Sequence, residues 1–535
     1  ENFSKLSGLR LNNKKTKALW IGSNAGNVLR LCPDQPFQWI QNKIKTLGVW
    51  LAINHEEMIR INYEEKLEKV KNCLNNWQLR RLTLLGKIAV IKSLAASQLV
   101  YVLASLVTNQ KAIAEINSLF YDFLWSGRGD KIKRSTIIND YSEGGLKMLD
   151  IESFNKALKI TWIKKYFEKE NHSKWKIFFD LELQNKGNSA ILTGNLNKKD
   201  INKFYCFSNP FFKEIIEIWS DINYEQHITS KEQLQSQPLW HNSLIRIANR
   251  PVCYKNWVKK DITKVKQIME TPTQFLSHSA FQTKYGINEC LITYLGIVDA
   301  VKSLTKTHNI GDHMANHHKP QFPIDELVNC KKPSKKAYKQ LVARKTTTAS
   351  KMQMNWQTDI SKYTADTIIT WKEAYLLPFK VTKSTYLIEF QFKLLHKKLP
   401  TNSFLYKINI KDTENCSFCK TQKEEIIHLF WNCEHVTLLW NSIETMLKQQ
   451  NIVPINFSID IAIALGLKQS LSKINFLLSS CFLVARNYIW KCRANENMPT
   501  LKAFLYQLEK FYLLECSENE KLHNEIKTLF PSFKI

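Results

Sequence analysis

The chain has 535 residues, with 76 Lys and Arg against 48 Asp and Glu, a formal net charge of +28 and 44% apolar residues. That apolar share excludes a low-complexity polymer and supplies cores for about three or four domains. The positive excess disfavours acid-repelling functions and makes a polyanion, RNA or DNA, the expected partner.

Nine of the twelve cysteines stand singly, which excludes a disulfide scaffold and suits a reducing compartment. No signal peptide opens the chain. Its longest uncharged stretch, residues 93–109, is seventeen residues long and partly polar, too short and wet for a membrane span. The expectation is a soluble intracellular protein that is not secreted and has no membrane partner. It starts Glu1-Asn2-Phe3 without Met, as a fragment or processed piece would.

Residues 1–52 carry the strand signals. Leu9-Arg10-Leu11-Asn12 and the run from Thr16 to Gly22 alternate about a Lys-rich turn, which predicts a hairpin. A further extended run lies between Phe37 and Ala52. From about residue 56 the period turns helical: Leu67, Val70, Leu74 and Trp77 share one face, and Leu84, Ile88, Ile91, Ala95, Leu99, Val102 and Leu106 form a second stripe. Arg80 and Arg81 sit between the two, and Lys87 and Lys92 fall off the apolar face, open to phosphate contact. The turn Phe123-Leu124-Trp125-Ser126-Gly127 and the segment Gly144-Gly145-Leu146 follow, then an apolar helix from Phe154 to Phe167.

Residues 171–303 predict another helical region, with tryptophans such as Trp219, Trp240 and Trp257 as core. Residues 304–360 shift in composition. His308, His313, His317 and His318 mark a loop, and the run from Lys331 to Lys351 holds eight basic residues and no acidic one. That run predicts a nucleic-acid patch, an import signal or a solvated linker.

The last part, 361–535, is helical around the strongest motif. Lys393, Lys397 and Lys398, candidate phosphate contacts, accompany an apolar helix that Pro400-Thr401-Asn402 interrupts, offering a cap for the next one. Then come Cys416, Cys419, His428 and Cys433, spaced C-x2-C-x8-H-x4-C, ligands of the kind that close a tetrahedral Zn²⁺ site. Residues 424–431 predict a helix, on which Cys433 would be rotated by about 140° from His428. The turn must therefore loosen before Cys433, and His435 competes as fourth ligand. Four protein ligands leave no place for water, so the ion's role is structural. Farther on, Ile474, Leu477, Cys481, Ala485, Tyr488 and Cys492 form an apolar stripe, with Arg486, Trp490 and Arg493 nearly opposite it. Cations flanking an indole suit a phosphate-and-base surface. Truncating Arg486 and Arg493 is then expected to weaken RNA binding at little cost in stability.

The order of these motifs (Ser7-Gly8-Leu9 with Asn12, an L-G-V strand, the helix pair around Trp77 and Lys92, the F-L-W turn, the G-G-L segment and the cysteine–histidine cluster) resembles the part of a LINE-type (non-LTR) retrotransposon polyprotein that follows its reverse-transcriptase active site. The resemblance implies a mainly α, multi-domain chain: a short β remnant of the polymerase palm at 1–52, a helical thumb at 53–170, a helical connector at 171–303, a His-rich and basic linker at 304–360 and a zinc-binding domain at 361–535. It also implies partners, namely template RNA with its primer, target DNA, and the upstream palm and fingers, within a ribonucleoprotein of nucleus and cytoplasm. Polymerisation needs paired carboxylates on two metal ions. No two aspartates are adjacent in this chain, so that chemistry is expected upstream and no catalytic residue is assigned. A host nucleic-acid-binding protein derived from such an element, or a zinc-dependent protein-interaction module, are the competing readings.

Overall fold

The computed structural model describes residues 2–8, 12, 14–22, 38–168, 170–271, 273–307, 324–346, 350–364, 368–468, 476–515, 524, 526, 527 and 530. Helices dominate, and among the described residues strands occur only in two-stranded ladders. The mainly α fold with a small strand remnant near the N-terminus is therefore present. The chain forms two compact units, one of residues 1–72, 95–117 and 150–344, the other of 73–94, 118–149 and 345–535.

In the first unit, strand Lys43–Thr46 pairs antiparallel with Val49–Ala52. Leu47 and Gly48 between them both take positive φ, 48° and 81°, the two-residue turn that matches strand twist. Trp50 and Lys45 both reach the Glu65 carboxylate, at 2.7 and 2.6 Å, and so dock this hairpin on the helix His55–Gln78. The other arm of the expected hairpin about the Lys-rich turn, Leu9 to Leu11, lies outside the described residues, and strand Lys17–Leu19 has its partner elsewhere. It pairs in parallel with Gln38–Ile40, so its partner is remote in sequence, where alternation alone gives no signal. Leu9 to Leu11 and Phe37 lie outside the described residues, as do His308, His313, His317, His318 and Ile474.

Two apolar cores of this unit lie among the described residues of 157–341. One gathers Ile160, Phe179, Leu192, Ile215 and Trp219, the other Trp240, Trp257, Ile268, Phe281 and Tyr294. The tryptophans are buried with their N–H groups satisfied: Trp219 donates to the Leu192 carbonyl at 2.7 Å and Trp240 to that of Ile262 at 2.6 Å. Much of the basic run is not an open linker. Residues Pro333–Lys345 form a helix whose Ala337 and Leu341 join the Trp219 core, and Arg344 donates to the Ile222 carbonyl at 2.9 Å. Two buried apolar positions in register with the core outweigh a run of surface lysines, which stay solvated on the far side.

The second unit centres on the helix Phe476–Ala494, buried over most of its circumference and packed with helices Thr385–Leu395, Glu434–Gln449 and Leu501–Glu515. A helix buried all round has no solvent face to lend its charged residues. The Gly144-Gly145 pair is explained by close approach. Gly144 is left-handed, φ 76°, with a Cβ placed there 2.7 Å from the Tyr375 ring, and a Cβ on Gly145 would fall 2.2 Å from the Asn139 carbonyl oxygen. That tight turn presents the Gly144 carbonyl to His396 Nε2, which donates across 2.8 Å. Desolvation holds the His396 pKa near 4.

His396 makes the second unit acid-sensitive. The unfolded chain protonates it near 6.5 and the folded chain only near 4, so its contribution is complete above pH 6.5 and is lost as pH falls towards 4, by up to roughly 3 kcal/mol. Urea midpoints measured from pH 7 to pH 4.5 should fall more steeply in the native chain than in His396→Gln, which keeps a donor for Gly144 but does not titrate. Parallel slopes would remove His396 from the account.

Candidate metal centre

Cys416 and Cys419 lie on a tight loop closed by backbone. The Cys416 N–H donates to the Gln422 carbonyl at 2.7 Å, the Lys420 N–H to that of Cys416 at 3.0 Å, and Lys420 takes the left-handed conformation, φ 61°. A single antiparallel bridge between Asn415 and Lys423 holds the base of the loop. This geometry turns peptide N–H groups towards the sulfurs: that of Phe418 donates to Cys416 Sγ at 3.4 Å.

His428 opens a π-helical turn, His428–Asn432, closed by the Cys433 N–H on the His428 carbonyl at 2.9 Å. The i→i+5 bond supplies the loosening that the x4 spacing demands, for it brings the fifth residue back beneath the first. Cys433 then leaves the turn in an extended conformation and begins the helix Glu434–Gln449. His435 faces away, its Nε2 3.5 Å from the Glu434 carboxylate.

The four ligand atoms of Cys416, Cys419, His428 and Cys433 lie within 4.8 Å of one another. Cys416 Sγ stands 3.9 Å from Cys433 Sγ, and Cys419 Sγ 3.4 Å from His428 Nε2. A tetrahedral ion with Zn–S and Zn–N bonds of ordinary length sets its ligand atoms roughly 3.5–3.8 Å apart, so the set fits Zn²⁺. The Cys416 thiol donates to Cys433, which with desolvation raises Cys416 to about 12 and lowers Cys433. Desolvation pushes Cys419 up, but hydrogen bonds from Thr421 and Gln422 outweigh it and lower its pKa. Two of the three sulfurs are thus biased to thiolate, the form a metal needs. With all four positions taken by protein, such an ion binds and cross-links and offers no site for hydrolysis.

One residue of the centre carries no sequence signal of its own. Glu424 is fully buried, and its carboxylate accepts from the Asn402 N–H at 2.7 Å, the Ser417 N–H at 2.8 Å, the Ser417 hydroxyl at 2.7 Å and Arg493 Nε at 3.0 Å. Arg493 also reaches the Asn402 side-chain oxygen at 2.7 Å. The only hint was position: an acidic residue between two ligand pairs, downstream of the Pro400-Thr401-Asn402 break.

Of the sequence-predicted nucleic-acid contacts, the structure withdraws several. Arg486 is 2% exposed and is spent on Gln391, at 2.8 Å, and on the Ile463 and Ala464 carbonyls. Lys87 is buried, donating to the Phe123 and Leu124 carbonyls and to Ser126. Arg493 belongs to Glu424, and Trp490 packs between its guanidinium and the buried Phe430 ring. Lys397 is paired with Asp359 at 2.5 Å, and Lys393 is bound to Glu389. Arg80, Arg81, Lys92 and Lys398 are exposed. Arg128 and Lys131, exposed after the F-L-W turn, were missed. Desolvation lowers the pKa of Lys87 and Lys131, the neighbouring cations Arg128 and Lys393 act in the same direction, and Glu389 opposes them.

Replacing Cys416 and Cys419 with Ser should release zinc and expose residues 400–445 to protease, because binding energy at such sites is folding energy. Elemental analysis and limited proteolysis read this directly. Glu424→Ala strands Arg493 in a dry site and should cost roughly 3–5 kcal/mol, seen as a lower urea midpoint even with zinc in excess. Arg486→Ala should likewise lower the midpoint.

No helix among the described residues is long and apolar enough to cross a membrane. Residues 333–440 match the family of zinc-binding domains in reverse transcriptases. Over 248 residues, 45% of the chain, the sequence is 25% identical to an uncharacterized 149 kDa protein of transposon TX1 from Xenopus laevis, of which this covers 19%. Over 113 residues it is 27% identical to a candidate ribonuclease H protein of Arabidopsis thaliana, covering 18% of that protein. The chain thus spans about a fifth of the length of the curated relatives it matches. The Cys3His cluster lies inside the matched segment, so residues 333–440 are similar to the zinc-binding domain of reverse transcriptases, and a longer stretch of the chain is similar to a transposon protein.

Proposed function

We propose that this chain holds nucleic acid for a reverse transcriptase of the LINE type, downstream of the polymerase active site. It grips template RNA with its primer, or the target DNA, while catalytic carboxylates elsewhere in the polyprotein carry out synthesis. Zinc in the Cys416, Cys419, His428 and Cys433 site keeps the tail folded and has no chemical step of its own. The reading places the protein in a ribonucleoprotein of nucleus and cytoplasm.

The observation that carries this reading is the group of like charges in the second unit. Arg128, Lys131, Lys393 and Lys87 gather around one carboxylate, Glu389; desolvation first, and the neighbouring cations after it, hold Lys87 and Lys131 below the ordinary lysine range. Like charges held together at a cost are relieved when phosphates replace scattered counterions, and the released counterions make binding salt-dependent. Arg80 and Arg81 are exposed on the same unit, as are Lys92 and Lys398. None of Arg80, Arg81, Lys92, Arg128, Lys131 or Lys398 has an ion-pair partner among the described residues. Such contacts fix register on a strand without reading its sequence.

Anisotropy titrations with an RNA–DNA hybrid and with duplex DNA across a salt series test this. The native chain should lose affinity steeply as salt rises, and Arg128→Ala/Lys131→Ala should flatten the log–log slope by about two with the melting temperature unchanged. A native chain that binds neither nucleic acid at low salt, or a double variant with native slope, would sink the reading.

A further inference from the structure

The connector region holds a second built site, in the first unit and separate from the metal centre. A cleft of about 490 Å³ is lined by Phe204, Cys206, His241, Arg250, Cys253 and Lys255 among others, with no carboxylate in its walls. Its floor is His241, 3% exposed, whose Nε2 has no hydrogen-bond partner among the described residues. The other ring nitrogen, Nδ1, lies 2.7 Å from the Tyr205 hydroxyl. With that hydroxyl donating to Nδ1, the neutral ring carries its hydrogen on Nε2. Burial lowers His241 to about 4, which keeps the ring neutral and the donor in place at physiological pH.

The space in front of that donor is kept open by a glycine. A Cβ on Gly187 would stand 2.2 Å from His241 Nε2 and 3.0 Å from Cys253 Sγ, so any side chain there would fill the floor of the cleft. A buried N–H left without an acceptor is costly, and a ligand that brings one recovers the loss. At the rim, Arg250 and Lys255 are exposed, and the Arg250 guanidinium lies over the Phe204 ring, 5.8 Å from its centroid. Lys186 is held by the Glu182 carbonyl at 2.5 Å and plays no part. Two soft ligands, His241 and Cys253, fall short of a metal site.

We propose that this cleft is a nucleotide-binding subsite. It takes one phosphate-bearing nucleotide, with the phosphate between Arg250 and Lys255, the base against Phe204, and an acceptor atom on His241 Nε2–H. The volume is that of a small-molecule pocket and much larger than an inorganic phosphate requires. The cations match the phosphate, and the buried donor supplies the directional contact that a merely basic surface lacks. The nucleotide comes either from solution or from a strand, and the second source rests on the nucleic-acid reading above.

Cys206, exposed in the wall, reports occupancy, and Cys290, exposed outside the cleft, is an internal control. The full zinc-loaded chain is alkylated with N-ethylmaleimide in the presence of adenosine monophosphate, a short 5′-phosphorylated RNA, or inorganic phosphate, and labelling is read peptide by peptide. Adenosine monophosphate or the RNA should slow Cys206 and leave Cys290 unchanged. Protection by the mononucleotide points to a free ligand, and protection by the RNA alone to a strand. Arg250→Ala/Lys255→Ala, both at exposed positions, should raise the concentration needed for protection about tenfold. His241→Asn should abolish it wherever circular dichroism shows the fold retained. Inorganic phosphate protecting as well as the nucleotides, or no protection by either nucleotide probe, overturns the subsite. So does protection unaltered in the double variant. If the chain binds RNA with the expected salt slope while Cys206 stays fully reactive, the subsite fails and the nucleic-acid reading stands.

Discussion

The arrangement of the zinc-binding domain depends on one carboxylate taken fully out of water. Glu424 pays for its burial by accepting hydrogen bonds from the start of helix Asn402–Lys407, from the cysteine loop at Ser417, and from Arg493 on the central helix Phe476–Ala494. These three segments meet around it, and Asn402 also bonds directly to Ser417 and to Arg493. A charge in such a place is destabilising unless every partner is present, which makes the contact all-or-none. Either the loop, the break after Pro400 and the helix are together, or none is correctly placed.

The metal ligands and the carboxylate divide the work. Glu424 lies between Cys419 and His428 in sequence, so the peptide that orients the sulfurs is held from behind while the ligand atoms converge in front. The phenyl ring of Phe430, inside the π-helical turn, sits in the same core as Trp440 and Phe390. The metal cluster is thus continuous with the apolar core, and loss of the ion propagates into packing that it never touches.

How much of this was legible in the sequence follows from what kind of signal each feature leaves. The cysteine–histidine cluster was readable because its ligands are local and their spacing is a geometric constraint. The need for a loosened turn before Cys433 followed from the same arithmetic. The fate of the basic residues was not readable in this way. Cations at i and i+7 flanking a tryptophan opposite an apolar stripe look exposed, yet Arg486 lies on a helix buried over most of its circumference and caps carbonyls of the segment Ile461–Leu465. Likewise Lys87 satisfies carbonyls at the end of the helix Gln110–Trp125, a contact thirty-six residues away for Phe123. The parallel pairing of Lys17–Leu19 and the packing of Pro333–Lys345 were hidden for the same reason: each is decided by a partner remote in the chain.

The π-helical turn at His428–Asn432 carries a consequence for how this motif tolerates change in length. Its wide loop accommodates one residue more than an ordinary helical turn, and that surplus residue is what returns Cys433 to the same side as His428. Removing any one residue between the two would tighten the turn and swing the sulfur by about 100° around the axis. The interval between histidine and final cysteine is therefore a rigid gauge.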